Sequence, residues 1–358
     1  MSVKQGLATV GYVHNLNDFT FSFDVSSDGI LFSLFTLENV ADKTNHLSTN
    51  LQLEDREISI SFTEQELLKD TLSYVIFGVQ LDGKKTKVAS ITFSHTQNVP
   101  DVTLIVGAPR SGTTALGGSL RTSTEYSGHE ESHVAPLFQH LISSCDQYFT
   151  DSPASKNAGT LAYDVTPTHI EAELLNVLRR IHRVFYGDKF VIDKTPGIPM
   201  IEALPVLLRA YPHAKVIFCK RRGIENVRSR LKKFGDTKFE NHCQQWTRTL
   251  IQWRNAQKVI SVMLGHSQWK LEVEQFELAN EPAPVVEKIA AHLGLTQKQK
   301  DDMSDFLRRE SPQQSYEKSA ISLEKTGWSE EDISIFKRHC DKEMTRQGYS
   351  YTEDYYLR

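Results

Sequence analysis

The sequence predicts an α/β protein, a parallel sheet flanked by helices, with an antiparallel β domain ahead of it. Three observations lead there. The first hundred residues alternate apolar and polar side chains with period two, whereas beyond Val102 short apolar runs alternate with amphipathic stretches of helical period. A polar, Pro-containing stretch at His95–Asp101 separates the two regimes as a linker. Period two puts successive side chains on opposite faces of a strand, and strands that alternate with helices assemble as a parallel sheet covered by those helices. The expected division is a sandwich-like accessory β domain at 1–98 and an α/β domain at 101–358.

In chain order, Phe19-Thr20-Phe21-Ser22-Phe23-Asp24-Val25, Ile58-Ser59-Ile60-Ser61-Phe62 and Val88 to Phe93 read as strands. Asp28-Gly29 and Asp82-Gly83 lie between such runs, where a tight hairpin turn needs residues that tolerate positive φ. Thr63-Glu64-Gln65-Glu66 reads as the cap of one short helix. Beyond the linker, strands are expected near 102–107, 189–192, 215–220 and 269–273. Helices are expected over 113–122, 134–148, 169–185, 198–211, 224–233, 238–264, 283–294, 297–309 and 329–347. Trp246 and Trp253, seven apart with Leu250 between them, form a core stripe on the longest of these. No internal repeat of solenoid period occurs, although Asp164-Val165-Thr166-Pro167 and Asp193-Lys194-Thr195-Pro196 echo each other.

Composition narrows the function. The 358 residues carry 41 Lys+Arg against 45 Asp+Glu, a formal net charge of −4, and no block of five like charges. Such a chain has no overall basic field for a nucleic-acid backbone, so no nucleic-acid partner is expected and any anion site must be local. The longest apolar runs, Val102–Val106 and Tyr74–Phe77, fall far short of the roughly 18 residues a bilayer span needs, so no transmembrane segment is expected. Met1-Ser2-Val3-Lys4-Gln5 opens no apolar signal-peptide core. Cys145, Cys219, Cys243 and Cys340 are scattered without a CxxC pair and read as reduced thiols, which points to the cytoplasm. His242 and Cys243 lack metal-ligand company, and no metal site is expected.

The first apolar run beyond the linker enters Gly107-Ala108-Pro109-Arg110-Ser111-Gly112-Thr113-Thr114, and a helical segment follows. This is an anion cradle: Gly107 and Gly112 let the backbone wrap closely, its N–H groups point inward, and the positive end of the next helix faces the bound oxyanion. The GxxxxG spacing of a nucleotide-binding loop is kept, but Thr113 stands where GxxxxGK[ST] has lysine. Loss of that lysine removes a β/γ-phosphate contact, while Arg110 brings a bidentate cation into the loop itself. Further on, Ala214–Lys220 leads to Arg221, with Ser229 eight positions later; taken alone, Lys220-Arg221-Arg222 reads as a solvated charge cluster. At a strand end and two turns into a helix, Arg221 and Ser229 can converge on one phosphate, and strand ends of this kind are where α/β ligands bind.

These motifs resemble the sulfotransferases that use 3′-phosphoadenosine 5′-phosphosulfate (PAPS), specifically their bacterial and heparan-type branch. In that family the 5′-phosphosulfate loop reads P-[KR]-[ST]-G-T-T, which Pro109-Arg110-Ser111-Gly112-Thr113-Thr114 matches throughout, and an arginine with a serine eight positions on grips the 3′-phosphate. Arg222-Gly223 replaces the usual Asp-Pro after that arginine, and Arg228 and Arg230 flank the serine. These extra cations either shift phosphate recognition or cover the surface. Trp269–Leu278 with Pro282 and Ile289–Leu295 resembles the late strand and helix of bacterial members, with Gln275-Phe276-Glu277-Leu278 where Tyr-Glu-Asp-Leu is usual. Lys325-Thr326-Gly327-Trp328 resembles the loop that closes over the nucleotide, which carries Lys325 and Gly327 over as nucleotide contacts. The resemblance spans about 102–350. It implies a P-loop NTPase-like sulfotransferase fold, PAPS as sulfuryl donor, 3′-phosphoadenosine 5′-phosphate (PAP) as product, and no metal.

Sulfuryl transfer needs an acceptor hydroxyl or amine in line with the S–O bond and a group to take its proton. His129-Glu130-Glu131-Ser132-His133 holds the candidates. Glu131-Ser132-His133 matches the Glu-x-His element of heparan-type enzymes, in which the glutamate is the base; in aryl and steroid enzymes the base is a histidine, so His133 and His129 stay open. A glutamate base needs its pKa raised by partial burial. Asp193-Lys194-Thr195-Pro196 matches the family's [ED]-K-[ST]-P, whose lysine helps hold the sulfuryl group or acceptor. The expectation is an enzyme acting on a carbohydrate or small-molecule acceptor, with a homodimer compatible. A P-loop kinase and a catalytically silent glycan-binding protein are the rivals. No motif names the acceptor.

Overall fold

The computed structural model describes residues 11–13, 18–22, 32–39, 46–49, 57–61, 71–95, 101–157, 159–165, 167–187, 190–309 and 320–357. The strands are β1 (Gly11–Val13), β2 (Asp18–Ser22), β3 (Phe32–Asn39), β4 (His46–Thr49), β5 (Glu57–Ser61), β6 (Thr71–Gln80), β7 (Lys85–His95), β8 (Val102–Gly107), β9 (Val191–Lys194), β10 (Lys215–Lys220) and β11 (Lys270–Glu274). The helices are α1 (Thr113–Ser123), α2 (Ala135–Asp151), α3 (Leu161–Asp164), α4 (Pro167–Tyr186), α5 (Ile198–Ala210), α6 (Gly223–Lys233), α7 (Phe239–Leu264), α8 (Gln275–Asn280), α9 (Pro282–Leu293), α10 (Gln297–Arg309) and α11 (Glu330–Arg346). They divide between two compact units, Met1–Val99 with Phe138–Phe185 and Pro100–Leu137 with Tyr186–Arg358.

In the first unit β1-β7-β6-β3-β4 form one sheet, antiparallel except for the parallel β1–β7 pair, and β2 pairs antiparallel with β5. The Asp82-Gly83 turn closes the β6–β7 hairpin. Gly83 sits at φ 84°, its N–H donates to the Gln80 carbonyl at 2.9 Å, and the Asp82 carboxylate accepts the Lys84 N–H at 3.0 Å. Asp28-Gly29, Phe23–Val25, Phe62, the Thr63–Glu66 cap and the middle of the His95–Asp101 linker lie outside the described residues.

The second unit is built on a four-stranded sheet of order β11-β10-β8-β9, in which every pairing is parallel. Its apolar runs make it so: all six residues of β8 and all four of β9 are buried, as parallel strands covered on both faces require. On one face Ile105, Ile192, Ile217 and Val273 pack with Leu116 and Leu120 of α1 and Val286 and Ile289 of α9. Elsewhere in the core, Phe218 of β10 stacks on Trp253 of α7, centroids 4.5 Å apart and planes 3° from parallel. Trp246 and Trp253 are therefore core side chains, each worth about 1.5–3 kcal/mol or more of burial.

Beyond the linker, the expected helices and strands fall within about three residues of their expected bounds, with one shift that matters to function. The strand expected at 189–192 runs Val191–Lys194, because Val102–Ile105 of β8 supply ladder partners as far as Lys194. Parallel strands end on one edge, so Gly107, Lys194, Lys220 and Glu274 close their strands side by side. After α1 the chain returns to that sheet through a parallel bridge from Ser127 to Val191. The short helices α3 and α8 were not expected.

Candidate functional site

The carboxyl edge of the parallel sheet carries the site, and the loop after β8 is its floor. Gly107 must be glycine: a Cβ there would stand 2.2 Å from the carbonyl oxygen of Cys219 on the neighbouring strand. The Ser111 N–H donates to the Ala108 carbonyl at 3.1 Å, and Gly112 caps α1 so that the helix N-terminus faces the loop. Arg110 is held at φ 74°, a conformation uncommon for a side-chain-bearing residue and typical of ligand clamps. From α6, the fully buried Asn226 donates to the Pro109 carbonyl at 3.0 Å and the Ser111 hydroxyl at 3.1 Å, tying the loop down. Thr113 is buried on the first turn of α1 and Thr114 is exposed beside it.

The second anion motif meets this loop directly. Arg221, following β10, donates from Nη1 to the Arg110 carbonyl at 3.1 Å, and Arg110 donates from Nε to the hydroxyl of Ser229 on α6 at 3.1 Å. Arg110, Arg221 and Ser229 thus form one cluster. Arg221 Nε is buried with no partner, and burial, outweighing the nearby acidic groups, holds its guanidinium below its ordinary pKa. A desolvated cation with a spare donor is a site that an anion stabilises. Arg222 does not join it. Its side chain is fully buried and bonds both Glu225 oxygens (2.8 and 2.5 Å) and the Ser350, Thr352 and Ile321 carbonyls, so it neither covers the surface nor widens phosphate recognition.

Against α1, Lys194 ends β9 with its side chain only 2 % exposed. Its ammonium donates to Glu131 Oε1 at 2.9 Å and to the Thr114 hydroxyl at 3.5 Å, while Glu131 Oε2 lies 2.9 Å from His133 Nε2. The loop bearing Glu131 is clamped to the sheet at two points. The Ser132 N–H donates to Thr195 Oγ1 at 3.2 Å, and the two Asp193 oxygens accept from the Ser132 hydroxyl at 2.5 Å and the Thr195 hydroxyl at 2.8 Å. Closer to α1, a Cβ on Gly128 would stand 2.0 Å from the Ile192 carbonyl oxygen, so glycine is again needed where the loop crosses β9.

One expectation is corrected here. Burial does push the Glu131 carboxyl up, but the hydrogen bond and charge of Lys194, and then those of His133, outweigh it and leave the pKa below the ordinary value. His129 lies apart from this pair, its Nδ1 2.9 Å from the Tyr186 hydroxyl. Lys325 pairs at the surface with Glu353 at 2.5 Å, and Gly327, at φ 73°, ends a short 3₁₀ turn over Leu323–Thr326.

Asn226, Asp193 and Thr195 brace the site without having been singled out as ligands. Asn226 had a signal, since it precedes Ser229 by three positions and so shares its helix face. Glu274 at the end of β11 had none: its carboxylate is buried by the C-terminal segment, more than seventy residues away in sequence. Among the described residues no group of three or more His, Cys, Asp and Glu is placed to hold a metal ion, and no helix is long and apolar enough to cross a membrane.

The profile of the sulfotransferase family matches residues 103–299. No protein of curated function matches the sequence. Solved structures similar to the chain include the sulfotransferase STF1 from Mycobacterium tuberculosis H37Rv, 18 % identical with a TM-score of 0.40, covering 67 % of this chain and 76 % of that one. STF9 from Mycobacterium avium is 13 % identical with a TM-score of 0.40, covering 68 % and 77 %. Mouse sulfotransferase SULT7A1 complexed with PAP is 11 % identical with a TM-score of 0.32, covering 68 % and 76 %. The matched profile spans more than half of the chain, from the strand that leads into the anion loop to the helices beyond β11, and the chain belongs to the sulfotransferase family.

Proposed function

We propose that the protein transfers a sulfuryl group from PAPS to a hydroxyl or amine of a carbohydrate or small-molecule acceptor, in line and without a metal. The observation that carries this reading is the Arg110–Ser229 and Arg221–Arg110 contact pair, which puts the two anion motifs within one hydrogen bond of each other at a single sheet edge. A doubly phosphorylated adenosine needs two such sites close together. Arg221 and Ser229 would take its 3′-phosphate, satisfying the buried Arg221 Nε. Arg110 and the N–H groups of Ser111, Gly112, Thr113 and Thr114 would take the 5′-phosphosulfate, with Pro109 shaping the loop and Lys325 and Gly327 as outlying nucleotide contacts.

Donors fixed in place before reaction act where charge grows, on the sulfuryl oxygens and the departing 5′-phosphate, and removal of one typically costs about 3–4 kcal/mol. Glu131 takes the acceptor proton as the acceptor oxygen or nitrogen bonds to sulfur and the S–O bond to the 5′-phosphate breaks; PAP leaves with that oxygen. Without donor, Lys194 holds Glu131 as a weak base. Drawing the ammonium of Lys194 to the anionic donor would release that hold and raise the basicity of the carboxylate. His133, bonded to the other Glu131 oxygen, is the alternative base. Residues 1–98 are proposed as an accessory domain before a 101–358 catalytic domain, with a cytoplasmic location and an acceptor as partner.

Incubation with radiolabelled PAPS, a panel of phenolic, amine and carbohydrate acceptors, and EDTA tests this. Sulfated product formed despite EDTA is the expected result. Magnesium-dependent phosphate transfer from ATP would instead support a P-loop kinase, and PAP binding with no product across the panel would support a silent glycan-binding protein.

A further inference from the structure

Glu274 is a buried titratable group that the mechanism leaves unused, and it neighbours the proposed 3′-phosphate site through Lys220 and Arg221. It ends β11, and its register partner on β10 is Lys220, the residue before Arg221. Its side chain is buried, with Oε2 accepting from the Tyr349 hydroxyl and Oε1 from the Tyr355 hydroxyl, both at 2.6 Å. The Tyr355 hydroxyl also accepts the main-chain N–H of Arg222 at 2.9 Å, and its ring lies 4.8 Å from the Arg222 guanidinium. One phenol therefore separates the carboxyl from the backbone turn that presents Arg221.

A carboxyl caged by phenols differs from one clamped by an arginine. A phenol accepts as well as donates. A proton on Glu274 can be donated to the Tyr349 oxygen while Tyr355 keeps donating to the other carboxyl oxygen; the Tyr349 hydroxyl proton then turns away from the carboxyl, and that rotation is the one change the protonated form requires of the cage. Burial is the dominant influence and pushes the group up to about 7, against the two phenol bonds and Lys220. Glu277 of α8 adds to the upward push, and the charge of Glu274 is felt in turn at Arg221, Tyr356 and Cys219. Glu225 of α6 bears on Arg221 and Tyr355 from the far side of the turn. A dianionic phosphate brought to Arg221 adds negative charge next to a buried carboxyl, which favours its protonated form.

We propose that Glu274 is a positioning residue for the Arg221–Arg222 turn that takes up a proton when a 3′-phosphate docks on Arg221, coupling nucleotide affinity to pH. This rests on the donor reading above. The sign follows from linkage: a ligand that favours the protonated carboxyl binds best below its pKa and loses affinity as pH rises through it. If docking moves the group up by about one pKa unit, uptake at pH 7 is about 0.4 proton, and affinity falls about sixfold between pH 6.5 and 8.5.

The test is calorimetric titration of the full chain with PAP at pH 7 in two buffers of different ionisation enthalpy, for wild type and Glu274→Gln. Protons on the phosphates of PAP contribute equally to both proteins. Wild type should take up about 0.4 proton more per PAP than the variant, whose affinity should be flatter with pH; equal proton counts and parallel pH profiles overturn the inference while leaving PAP as ligand. Tyr355→Phe is the second variant. It removes a donor that stabilises ionised Glu274, so maximal uptake should move to higher pH, and an unmoved maximum counts against the proposal even if Glu274→Gln does not fold. Failure of the wild type to bind PAP at any pH would remove the donor reading and this inference together.

Discussion

The two halves of the site, one proposed to hold the donor and the other to face the acceptor, are built differently. On the donor side the anchoring groups are interior: Ser111, Asn226 and Ser229 are each at most 1 % exposed, and hydrogen bonds link them through the Pro109–Ser111 loop. On the proposed acceptor side the candidate base is open, with Glu131 37 % and His133 64 % exposed at the side chain, and its partner Lys194 is the buried member. The donor cradle is formed in advance by backbone geometry and packing. The acceptor side is a loop stapled to the sheet through Ser132, Asp193 and Thr195, which leaves its outer groups free to meet different molecules. Shared donor chemistry calls for a rigid cradle, whereas acceptor choice calls for an adjustable rim.

Removing groups from each half in turn should break this contrast if it is wrong. Arg110→Ala should have the largest effect, lowering turnover about a thousandfold through loss of a preorganised cation. Glu131→Gln should lower turnover about a hundredfold, as loss of a general base does, while calorimetry gives a PAP Kd within about twofold of wild type. A large drop in PAP affinity for that variant would mean that the halves are not separable. Asn226→Ala should weaken PAP binding about tenfold, the scale of a lost hydrogen bond to a buried polar group, with the acceptor KM unchanged. Lys325→Ala should have the smallest effect, weakening PAP binding by about two- to threefold, because an exposed cation already paired with Glu353 brings only a screened charge to the nucleotide.

The same contrast sets how far the site was legible in the sequence. The proposed donor cradle is local: Pro109–Thr114 is a continuous segment readable from turn chemistry, and Arg221 with Ser229 is a fixed spacing across one strand end and one helix that the family resemblance picked out. Trp246 and Trp253 were legible as core for the same reason. What was hidden depends on segments far apart in sequence. The low pKa of Glu131 comes from Lys194, which lies 63 residues away. The burial of Arg222 depends on carbonyls of Ile321, Ser350 and Thr352, and a charged triplet alone reads as solvated surface. Glu274 likewise acquires its character from Tyr349 and Tyr355.

In the proposed reading, two anion pockets at one sheet edge are spaced to hold an adenosine phosphorylated at both the 3′ and 5′ positions. Calorimetric titration of the full chain with PAP and with ADP, each with and without magnesium, tests it most directly. Binding of PAP at least tenfold tighter than ADP, unchanged by magnesium and lost in Arg221→Ala, is the predicted result. ADP bound as tightly as PAP, or binding that requires magnesium, would contradict it.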